Sequence, residues 1–525
     1  MIKKVASVRT HSFEAVSHSD DRPAILCIAG SDSSGMAGIQ MDIRSGLAFS
    51  VHVATAITAV TAQNTEQFVA VNAVDCTVLA QQIDAALALS PQAIKIGLLA
   101  NVQQVNLLVE KLANINVPII YDPVIASSGG HLLLDADTIV AVIKYLLPLC
   151  TCITPNLPEA DILTGVSVRT LAGRQQAAQR LLDLGASWVM LKGGHGGGDQ
   201  MLDYCCGAGY LQSPGFWLEH DKIITLNSRG TGCALSSSLA SALALGYDMR
   251  DALVLVKMAM QQGLTNAKRV NTRRGPIAIE NFPCGNWPML TDAVDHQSLL
   301  PQSAFPSCVG DGEPDTLGLY PVVDSAQWLQ RLLPLGITTA QLRVKHLTGD
   351  ALAREIELAI VIAKHYGCRL FINDYWQLAI AKGAYGVHLG QEDLLAADLP
   401  QIQQAGLRLG LSSHNHFEVA RALAYKPSYL ACGPVFATRS KQMPWIPHGI
   451  DGLNYWQQSI DYPLVAIGGI NAVNIADVAA TGVSGVAMIS AITAAGNPEL
   501  MAQQLMALID QVKDESLQGD GANVG

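Results

Sequence analysis

The chain has 525 residues and a net charge of -11; 50% of its residues are hydrophobic and only 15% are charged. A chain of this length is too long to fold around one hydrophobic core, and its composition is typical of packed α/β layers. We therefore expect two large α/β domains. The acidic charge argues against nucleic-acid binding, because clustered lysine and arginine side chains hold phosphate backbones.

The N-terminal residues 1–22 include basic residues but no apolar signal segment, so we expect a flexible extension. No later stretch offers eighteen uncharged apolar residues, which argues against a membrane anchor. The eleven cysteines are scattered, odd in number and not paired at zinc-type spacing. They predict free thiols in a reducing, cytoplasmic compartment.

Apolar runs alternate with helical segments in the first half of the chain. This alternation predicts an open, mostly parallel sheet with helices on both faces, whose ligands gather where strands end. The predicted strands are residues 24–30, 56–63, 93–99, 118–124, 151–156 and 188–194.

Polar motifs stand at the ends of these strands. Residues 29–42, AGSDSSGMAGIQMD, form a Gly- and Ser-rich turn that permits close approach of a ligand to the backbone. Asp122 in YDPV and Glu159 in TPNLPEAD, with Asn156 beside it, could hold Mg²⁺ through water. A capped helix start explains TPNLPEAD equally well. Lys192 enters a glycine run where nucleotide phosphates would lie.

Cys233 follows Gly-Thr-Gly in residues 227–238, NSRGTGCALSSS, at the start of a predicted helix. The N–H groups of a first helical turn attract anions, and the helix dipole lowers the pKa of a thiol there. The alternative is that Cys233 is a small buried hydrophobic residue.

With these motifs, residues 23–285 resemble the ribokinase superfamily, specifically the hydroxymethylpyrimidine and phosphomethylpyrimidine kinases. The resemblance implies two ATP-dependent phosphorylations. It implies that Gln63 hydrogen-bonds the aminopyrimidine, that Asp42 and the turn from Gly30 to Ala37 close the pocket, and that Cys233 takes the place of a catalytic aspartate. The backbone N–H groups of the turn from Gly230 through Gly232 to Cys233 would form the anion hole. Arg229 stands where the family often has histidine, and Met36 replaces a common glycine.

Residues 282–316 are rich in Pro, Gly, Ser and Asp, and we place a linker at 286–315. Eight β/α units then follow in about two hundred residues, which predicts a (β/α)₈ barrel over 316–513 with a tail at 514–525. The predicted barrel strands are residues 317–323, 340–344, 369–373, 386–390, 408–413, 429–435, 463–469 and 485–490.

The second barrel strand carries Gln341, Arg343 and Lys345 at alternate positions, so all three side chains should project to one side. Burial of the two cations Arg343 and Lys345 inside a barrel would be costly unless a bound anion offset their charge. Asp374 and Asp393, at the ends of the next two strands, could share one Mg²⁺. The alternative is a structural salt-bridge cluster.

Further along, Thr438, Ser440 and Lys441 follow the sixth strand. Gly469 follows the seventh strand, and Ile489 and Ser490 follow the eighth, where barrels commonly bind a phosphate through N–H groups. These last positions could also be tight turns only.

The whole set resembles thiamine-phosphate synthase. The resemblance implies coupling of hydroxymethylpyrimidine diphosphate with a thiazole phosphate, with Mg²⁺ on Asp374 and Asp393. The departing charge would be stabilised by Arg343, Lys345 and Lys441. The diphosphate substrate would contact Gln341, Leu342, Arg343, Val344, Lys345, Asn373, Ser412 and Lys441. The thiazole phosphate would contact Thr438, Arg439, Ser440, Gly469, Ile489 and Ser490. Ser440 replaces the family's usual threonine and keeps its hydroxyl.

The expected product of the first domain is the expected substrate of the second. We therefore predict a bifunctional enzyme of thiamine biosynthesis that uses ATP and Mg²⁺, acts on small molecules, and forms a homo-oligomer. Two alternatives remain open: a kinase that acts chiefly on pyridoxal-type substrates, and a barrel that only binds thiamine phosphate as a regulator. The diphosphate should pass between separate sites through solvent, because a flexible tether does not create a channel.

Overall fold

The computed structural model describes residues 21–64, 67–126, 132–194, 199–207, 215–292, 303–310, 312–437 and 447–521. Contacts divide the chain into two compact units, one within residues 21–292 and one within residues 303–521. The domain bounds at 23–285 and 316–513 remain predictions. Among the described helices, none combines the length and the apolar character needed to cross a membrane.

The described part of the first unit contains one ten-stranded mixed sheet. Its strands are β1 Ala24–Asp32, β2 His52–Gln63, β3 Phe68–Ala73, β4 Ala93–Ile96, β5 Ile119–Tyr121, β6 Cys152–Ile153, β7 Trp188–Leu191, β8 Gln200–Gly207, β9 Phe216–Asp221 and β10 Met289–Thr291. They lie in the order β10, β9, β8, β7, β6, β5, β4, β1, β2, β3. The strands from β7 to β2 in that order pair in parallel, which confirms the predicted mostly parallel sheet.

Helices cover this sheet, and several of them begin after a residue whose side chain caps the first turn. Asp75, Asn101, Thr170 and Asp248 each accept a hydrogen bond from a backbone N–H in the first turn. Each such cap stabilises a helix by about 1 kcal/mol. The described helices are Gly38–Ala48, Cys76–Leu87, Val102–Leu112, Ala136–Ala141, Leu157–Thr164, Leu171–Asp183, Thr231–Ala244 and Met249–Thr265.

Strand β3 at one side of the sheet and strands β8, β9 and β10 at the other side were not predicted. They pair antiparallel, so they do not follow the strand–helix alternation that identifies the central strands. Strand β3 is mostly solvent-exposed, and Val69 keeps 66% of its surface accessible. Strand β10 lies inside the segment expected to be linker, and its pairing with β9 orders that part of the chain.

The second unit is a closed barrel of eight parallel strands, as predicted. The strands are β11 Gly318–Val323, β12 Thr339–Leu342, β13 Arg369–Asn373, β14 Gly386–Leu389, β15 Arg408–Ser413, β16 Tyr429–Cys432, β17 Leu464–Ile467 and β18 Gly485–Met488. The described helices around them are Ala326–Leu332, Gly349–His365, Trp376–Lys382, Gln391–Ala396, Leu399–Gln404, His416–Ala424, Gly449–Ser459, Ile475–Ala480, Ser490–Thr493 and Pro498–Gly521.

Part of the segment expected to be linker packs against the amino end of this barrel. Phe305 and Cys308 are buried, and the carbonyl oxygen of Cys308 accepts a hydrogen bond from Arg369 Nη1 at 2.9 Å. Ser428, just before β16, donates its hydroxyl to the carbonyl oxygen of Pro306 at 2.7 Å. This contact closes the amino end, so the carboxyl end is the one left for ligands.

A buried histidine in the barrel predicts a loss of stability in acid. Burial lowers the pKa of His416 from 6.5 to about 3, and its ring contacts Tyr455 and Trp456. The unfolded chain therefore binds the extra proton first, so this contribution is complete above pH 6.5 and is lost as the pH falls. We expect the free energy of unfolding to fall by about 1.4 kcal/mol per pH unit from this residue alone.

The measurement is urea unfolding of the full chain at pH 7 and pH 5, with the barrel transition followed by proteolysis and mass spectrometry. His416→Gln keeps a hydrogen-bonding group for Tyr455 but cannot gain the proton, so its barrel should lose less stability between the two pH values. An equal loss in both proteins would contradict this assignment.

Candidate active sites

The first candidate site lies at the carboxyl ends of β5, β6 and β7. Asp122, which follows β5, is buried and accepts hydrogen bonds from Lys192 Nζ at 2.8 Å and from Thr154 Oγ1 at 3.2 Å. Lys192 follows β7. Burial lowers the pKa of Lys192, but the charges of Asp122 and Glu159 raise it by a larger amount, so the pKa lies above its ordinary value. The sheet thus places a charged lysine where an anionic ligand would reach the strand ends.

Two glycines bring the turn before the helix Thr231–Ala244 into this site. A Cβ atom on Gly232 would lie 3.1 Å from Asp122 Oδ2 and 3.6 Å from Lys192 Nζ. Gly230 has a φ of 78°, and a Cβ there would lie 2.2 Å from the carbonyl oxygen of Met36. The structure therefore brings together Gly230, Gly232, Lys192 and Asp122, and it joins this turn to the Ser-rich turn that precedes the helix Gly38–Ala48.

Replacement of Gly230 by alanine is expected to lower phosphorylation at least about tenfold, because the new methyl group must push the two turns apart. Gly165→Ala is the matched control: Gly165 has a similar φ of 69° but nothing within 4 Å of a built Cβ. The measurement is the rate of pyrimidine phosphorylation in both variants. Equal rates in the two variants would show that backbone strain, and not the contact with Met36, accounts for any loss.

Cys233 lies in the first turn of its helix as predicted, but the expectation of a lowered thiol pKa was wrong. Burial raises the pKa of Cys233 to about 11; Lys95 opposes this effect, and the charges of Asp42 and Asp122 add to it. The cost of desolvating a thiolate exceeds the benefit of the helix dipole. Cys233 is therefore a neutral thiol near pH 7.

Asp42 does not line an open pocket. It is fully buried and forms an ion pair with Lys95, whose Nζ lies 2.9 Å from Asp42 Oδ1. Burial raises the pKa of Asp42 to about 6 and Lys95 pulls it down, while the surrounding acids keep the pKa of Lys95 above its ordinary value. The charges of both residues act on the thiol of Cys233. Lys95 was missed, although a lysine inside the apolar strand AIKI is a visible signal.

The acidic motif that follows β6 is a helix cap. The Asn156 side chain accepts a hydrogen bond from the N–H of Glu159, and Glu159 accepts one from the N–H of Asn156 at 2.8 Å. Burial raises the pKa of Glu159 to about 7, with Lys192 opposing and Asp122 adding to the shift. The capped start, one of the two readings left open, is present, and a water-mediated Mg²⁺ contact would have to use the remaining carboxylate lone pairs.

The expected pyrimidine-binding residue Gln63 ends β2 and lies against Arg229. Arg229 Nη2 donates to Gln63 Oε1 at 3.0 Å. Gly30 lies in β1, and Ala37 caps the helix Gly38–Ala48 without a side-chain hydrogen bond. Gln63, Arg229 and the Ser-rich turn are connected, because Ser33 Oγ donates to the carbonyl oxygen of Gln63 at 3.0 Å.

The second candidate site lies at the carboxyl ends of β12, β13 and β14. Lys345 forms an ion pair with Asp374, which adopts a left-handed φ of 66° that costs a non-glycine residue about 1 to 2 kcal/mol. Burial raises the pKa of Asp393, and the charge of Asp374 and a hydrogen bond with it raise it further. Two adjoining carboxylates with a single lysine fit a divalent cation bound partly through water. The described residues contain no cluster of three or more acidic, histidine or cysteine side chains suited to a metal.

The cations of this site lie farther out than expected. Strand β12 ends at Leu342, so Arg343 and Lys345 follow the strand rather than project inside the barrel, and Lys345 is 51% exposed. Water therefore offsets part of the cost of two cations. Leu342 and Val344 are buried apolar residues, so their side chains do not face a charged ligand. Gln341 does point inward and is buried.

A hydrogen-bonded chain that was not predicted crosses the barrel interior. His388 bonds through Nε2 to Ser412 Oγ and through Nδ1 to Tyr429 OH, both at 2.8 Å. Tyr429 OH continues to Tyr320 OH at 2.8 Å, and Gln341 Nε2 lies 3.5 Å from Tyr320 OH. Burial lowers the pKa of His388 to about 4, so the ring is neutral. The chain connects Gln341 and Ser412, two of the expected substrate contacts.

The expected phosphate-binding turns lie beside one another. Gly469 follows β17, Ile489 and Ser490 follow β18, and these two strands pair. Gly469 has a φ of 68°, and a Cβ there would lie 2.7 Å from the carbonyl oxygen of Ala437. Asn373 is buried at the end of β13. Thr438, Arg439, Ser440 and Lys441 lie outside the described residues.

Comparisons with known proteins agree with this division. Residues 32–278 match the phosphomethylpyrimidine kinase family, and residues 319–492 match the thiamine monophosphate synthase family. Thiamine-phosphate synthase from Serratia proteamaculans (strain 568) is 53% identical over 198 residues, which are 38% of this chain and 93% of that protein. Two solved structures resemble the first unit. Pyridoxal kinase from Staphylococcus aureus in complex with ADP is 26% identical with a TM-score of 0.48, over 52% of this chain and 100% of that one. Phosphomethylpyrimidine kinase from Clostridium difficile 630 is 35% identical with a TM-score of 0.41, over 46% and 98%.

The two matched families, one for the unit with the mostly parallel sheet and one for the barrel, identify a transferase with two domains. The chain belongs to the thiamine-phosphate synthase family through its barrel and carries a phosphomethylpyrimidine kinase domain before it. It is therefore a bifunctional enzyme of thiamine biosynthesis, with kinase and synthase activities on small molecules.

Proposed function

We propose that the chain phosphorylates 4-amino-5-hydroxymethyl-2-methylpyrimidine twice with ATP and couples the diphosphate to carboxythiazole phosphate, which yields thiamine phosphate, pyrophosphate and carbon dioxide. One observation carries this proposal: the product of the first matched family is the substrate of the second, and both lie in one chain. A kinase that acts chiefly on pyridoxal-type substrates would leave the barrel without its diphosphate.

In the kinase site, positioning and charge stabilisation do most of the work, because the transition state for phosphoryl transfer is loose. Lys192, held by Asp122 at 2.8 Å, would neutralise charge on the transferred phosphate. The N–H groups from Gly230 to Cys233 would bind its oxygens. Cys233, a neutral thiol, would contribute shape and a weak hydrogen bond rather than act as a base. In the first step, the proton of the acceptor hydroxyl would pass to solvent as the new O–P bond forms. The second acceptor is already a phosphate and needs no base.

In the synthase site, the chain's own groups would stabilise the diphosphate as its bond to the pyrimidine methylene breaks. Arg343 and Lys345 lie beyond the strand, where a diphosphate stays partly solvated, and Lys441 would join them. The pyrimidinylmethyl cation left behind would be captured by the thiazole nitrogen, which forms the new C–N bond. The carboxylate of the thiazole would then leave as carbon dioxide, and a proton from solvent would take its place. Ser412, oriented by His388, and Gln341 would hold the pyrimidine ring.

Mg²⁺ fits both sites to different degrees. Asp374 and Asp393 would hold it in the synthase. Burial, followed by the charge of Asp374, raises the pKa of Asp393, and a divalent cation beside it would favour the ionised carboxylate. Asp122 and Glu159 would hold it through water in the kinase. When bound, the ion supplies positive charge to phosphate oxygens in the transition state.

We propose that the chain works as a homo-oligomer in the reducing cytoplasm. All eleven cysteines lie within the described residues and carry free thiols, which supports the choice of compartment.

We also propose that the diphosphate leaves the kinase site and reaches the synthase site through solvent. Dilution of labelled diphosphate by added unlabelled diphosphate during turnover tests this route, since a channel would protect the label.

The experiment that tests the substrate assignment compares two substrates and two reactions. Purified chain is assayed for phosphorylation of hydroxymethylpyrimidine and of pyridoxal, and separately for pyrophosphate release from supplied pyrimidine diphosphate and thiazole phosphate. We expect higher kcat/KM for the pyrimidine and Mg²⁺-dependent pyrophosphate release. Preference for pyridoxal together with no pyrophosphate release would instead establish a pyridoxal-type kinase with a binding-only barrel.

A further inference from the structure

Arg229, Gln63 and Thr61 form a polarised hydrogen-bonded row at the acceptor side of the kinase site. Arg229 Nη2 donates to Gln63 Oε1 at 3.0 Å, and Gln63 Nε2 donates to Thr61 Oγ1 at 3.0 Å. Thr61 passes its own hydroxyl hydrogen to the carbonyl oxygen of Ser31 at 3.0 Å. Each donor therefore points away from Arg229 toward β1.

The chemistry of Arg229 decides which way the Gln63 amide faces. A guanidinium has only donors, so only the oxygen of the Gln63 amide can face it. Thr61 alone would not fix this orientation, because a hydroxyl can rotate and donate instead. A histidine in place of Arg229 would not fix it either, since a ring nitrogen can be a donor or an acceptor.

Arg229 is well suited to this role because no carboxylate pulls it elsewhere. Within the described ranges it has no ion-pair partner, and its buried Nε has no hydrogen-bond partner. Its backbone is anchored, since the N–H of Ile277 donates to the carbonyl oxygen of Arg229 at 3.0 Å. Gly230, the next residue, contacts the turn at Met36. The backbone of Arg229 and of the next residue is therefore fixed, which keeps the Arg229 guanidinium beside Gln63.

The fixed amide leaves one lone pair on Gln63 Oε1 and one hydrogen on Nε2 for a ligand. This pair of groups complements a ring edge on which an amino group stands beside an unprotonated ring nitrogen. A 4-oxo ring presents the reverse order, a carbonyl oxygen beside an N–H, and would place like groups against one another. Rejection of the 4-oxo ring therefore depends on whether the amide can flip.

We propose that Arg229 is a specificity-determining residue that locks the Gln63 amide so that the kinase site accepts 4-aminopyrimidines and rejects their 4-oxo analogues. The inference rests on the proposed role of Gln63 in binding the pyrimidine. Arg229 acts through Gln63 and is a positioning residue.

The test compares kcat/KM for 4-amino-5-hydroxymethyl-2-methylpyrimidine and for its 4-oxo analogue in four proteins: wild type, Arg229→Met, Arg229→Lys and Gln63→Ala. We expect the wild type to prefer the amino ring by about 100-fold or more, since mismatched buried polar groups discriminate strongly. In Arg229→Met the preference should fall at least about tenfold, with a higher KM for the amino ring and a lower KM for the oxo ring. Arg229→Lys keeps a donor-only cation and should retain most of the preference.

Synthase activity on supplied diphosphate and the melting temperature report whether each variant is folded. If Arg229→Met does not fold, Arg229→His takes its place, and the same fall in preference is expected. A full preference in folded Arg229→Met or Arg229→His, while Gln63→Ala loses it, would overturn the role of Arg229 alone. An unchanged preference in Gln63→Ala would overturn the role of Gln63 as well, and no turnover of the amino ring by wild type would overturn the proposed function.

Discussion

Replacement of Asp374 by asparagine is expected to reduce thiamine phosphate formation by about 100-fold or more, because the proposed divalent cation would lose a charged ligand and Lys345 would lose its ion-pair partner. The side chain of Asp374 is 18% exposed, and it contacts Lys345 and Asp393. Its backbone has a left-handed φ of 66°. Asparagine keeps the size and the local hydrogen bonding that tolerate this conformation. The loss should therefore reflect charge and not folding.

The measurement follows both phosphorylation steps and the coupling step in one reaction. In Asp374→Asn, pyrimidine diphosphate should accumulate at the wild-type rate while thiamine phosphate does not form. Asp477→Asn, an exposed substitution on another barrel helix, is the matched control and should behave as wild type. Coupling at an undiminished rate in Asp374→Asn would show that the paired carboxylates are a structural cluster, the alternative that the sequence left open.

Replacement of Lys192 by methionine is expected to lower both phosphorylations by about 100-fold, because it would remove the cation proposed to bind the phosphate and would leave Asp122 buried without its ion-pair partner. The ion pair spans 2.8 Å between Lys192 Nζ and Asp122 Oδ1. Methionine preserves much of the volume of the lysine side chain, so the packing around β7 should survive.

Synthase activity on supplied diphosphate distinguishes lost chemistry from lost folding, and Lys192→Met should retain it. Lys222→Met removes an exposed lysine from the same unit and should leave phosphorylation unchanged. If Lys192→Met phosphorylates hydroxymethylpyrimidine as fast as the control, the lysine is structural and the phosphate must be held elsewhere.

Much of the fold was predictable because its central strands alternate with helices and are apolar on both faces. All six predicted strands of the first half and all eight of the second are present. The antiparallel edge strand β3 was not predicted, because its residues are mostly exposed and its sequence therefore lacks the alternation of apolar and polar residues that marks a half-buried strand. The burial of Phe305 and Cys308, within the segment expected to be linker, was not predicted, because it depends on contacts with distant residues of the barrel.

The charged residues of the candidate sites can be proposed from the sequence more easily than their environment. Asp122, Lys192 and Asp374 are conspicuous as polar residues at strand ends, and their roles remain predictions. The neutral state of Cys233 was not, because a helix terminus is visible in a sequence whereas the desolvation of a thiol is not. The chain through His388 was missed for a related reason: inward histidine and tyrosine side chains meet only after the barrel closes.

The most direct test of the central claim is a time course of the full chain with hydroxymethylpyrimidine, ATP, Mg²⁺ and carboxythiazole phosphate. We expect pyrimidine monophosphate and diphosphate to appear first, followed by thiamine phosphate and pyrophosphate in equal amounts. If thiamine phosphate forms only when pyrimidine diphosphate is supplied, the proposed kinase substrate is wrong. If it forms under neither condition, the claim that one chain carries both consecutive reactions is contradicted.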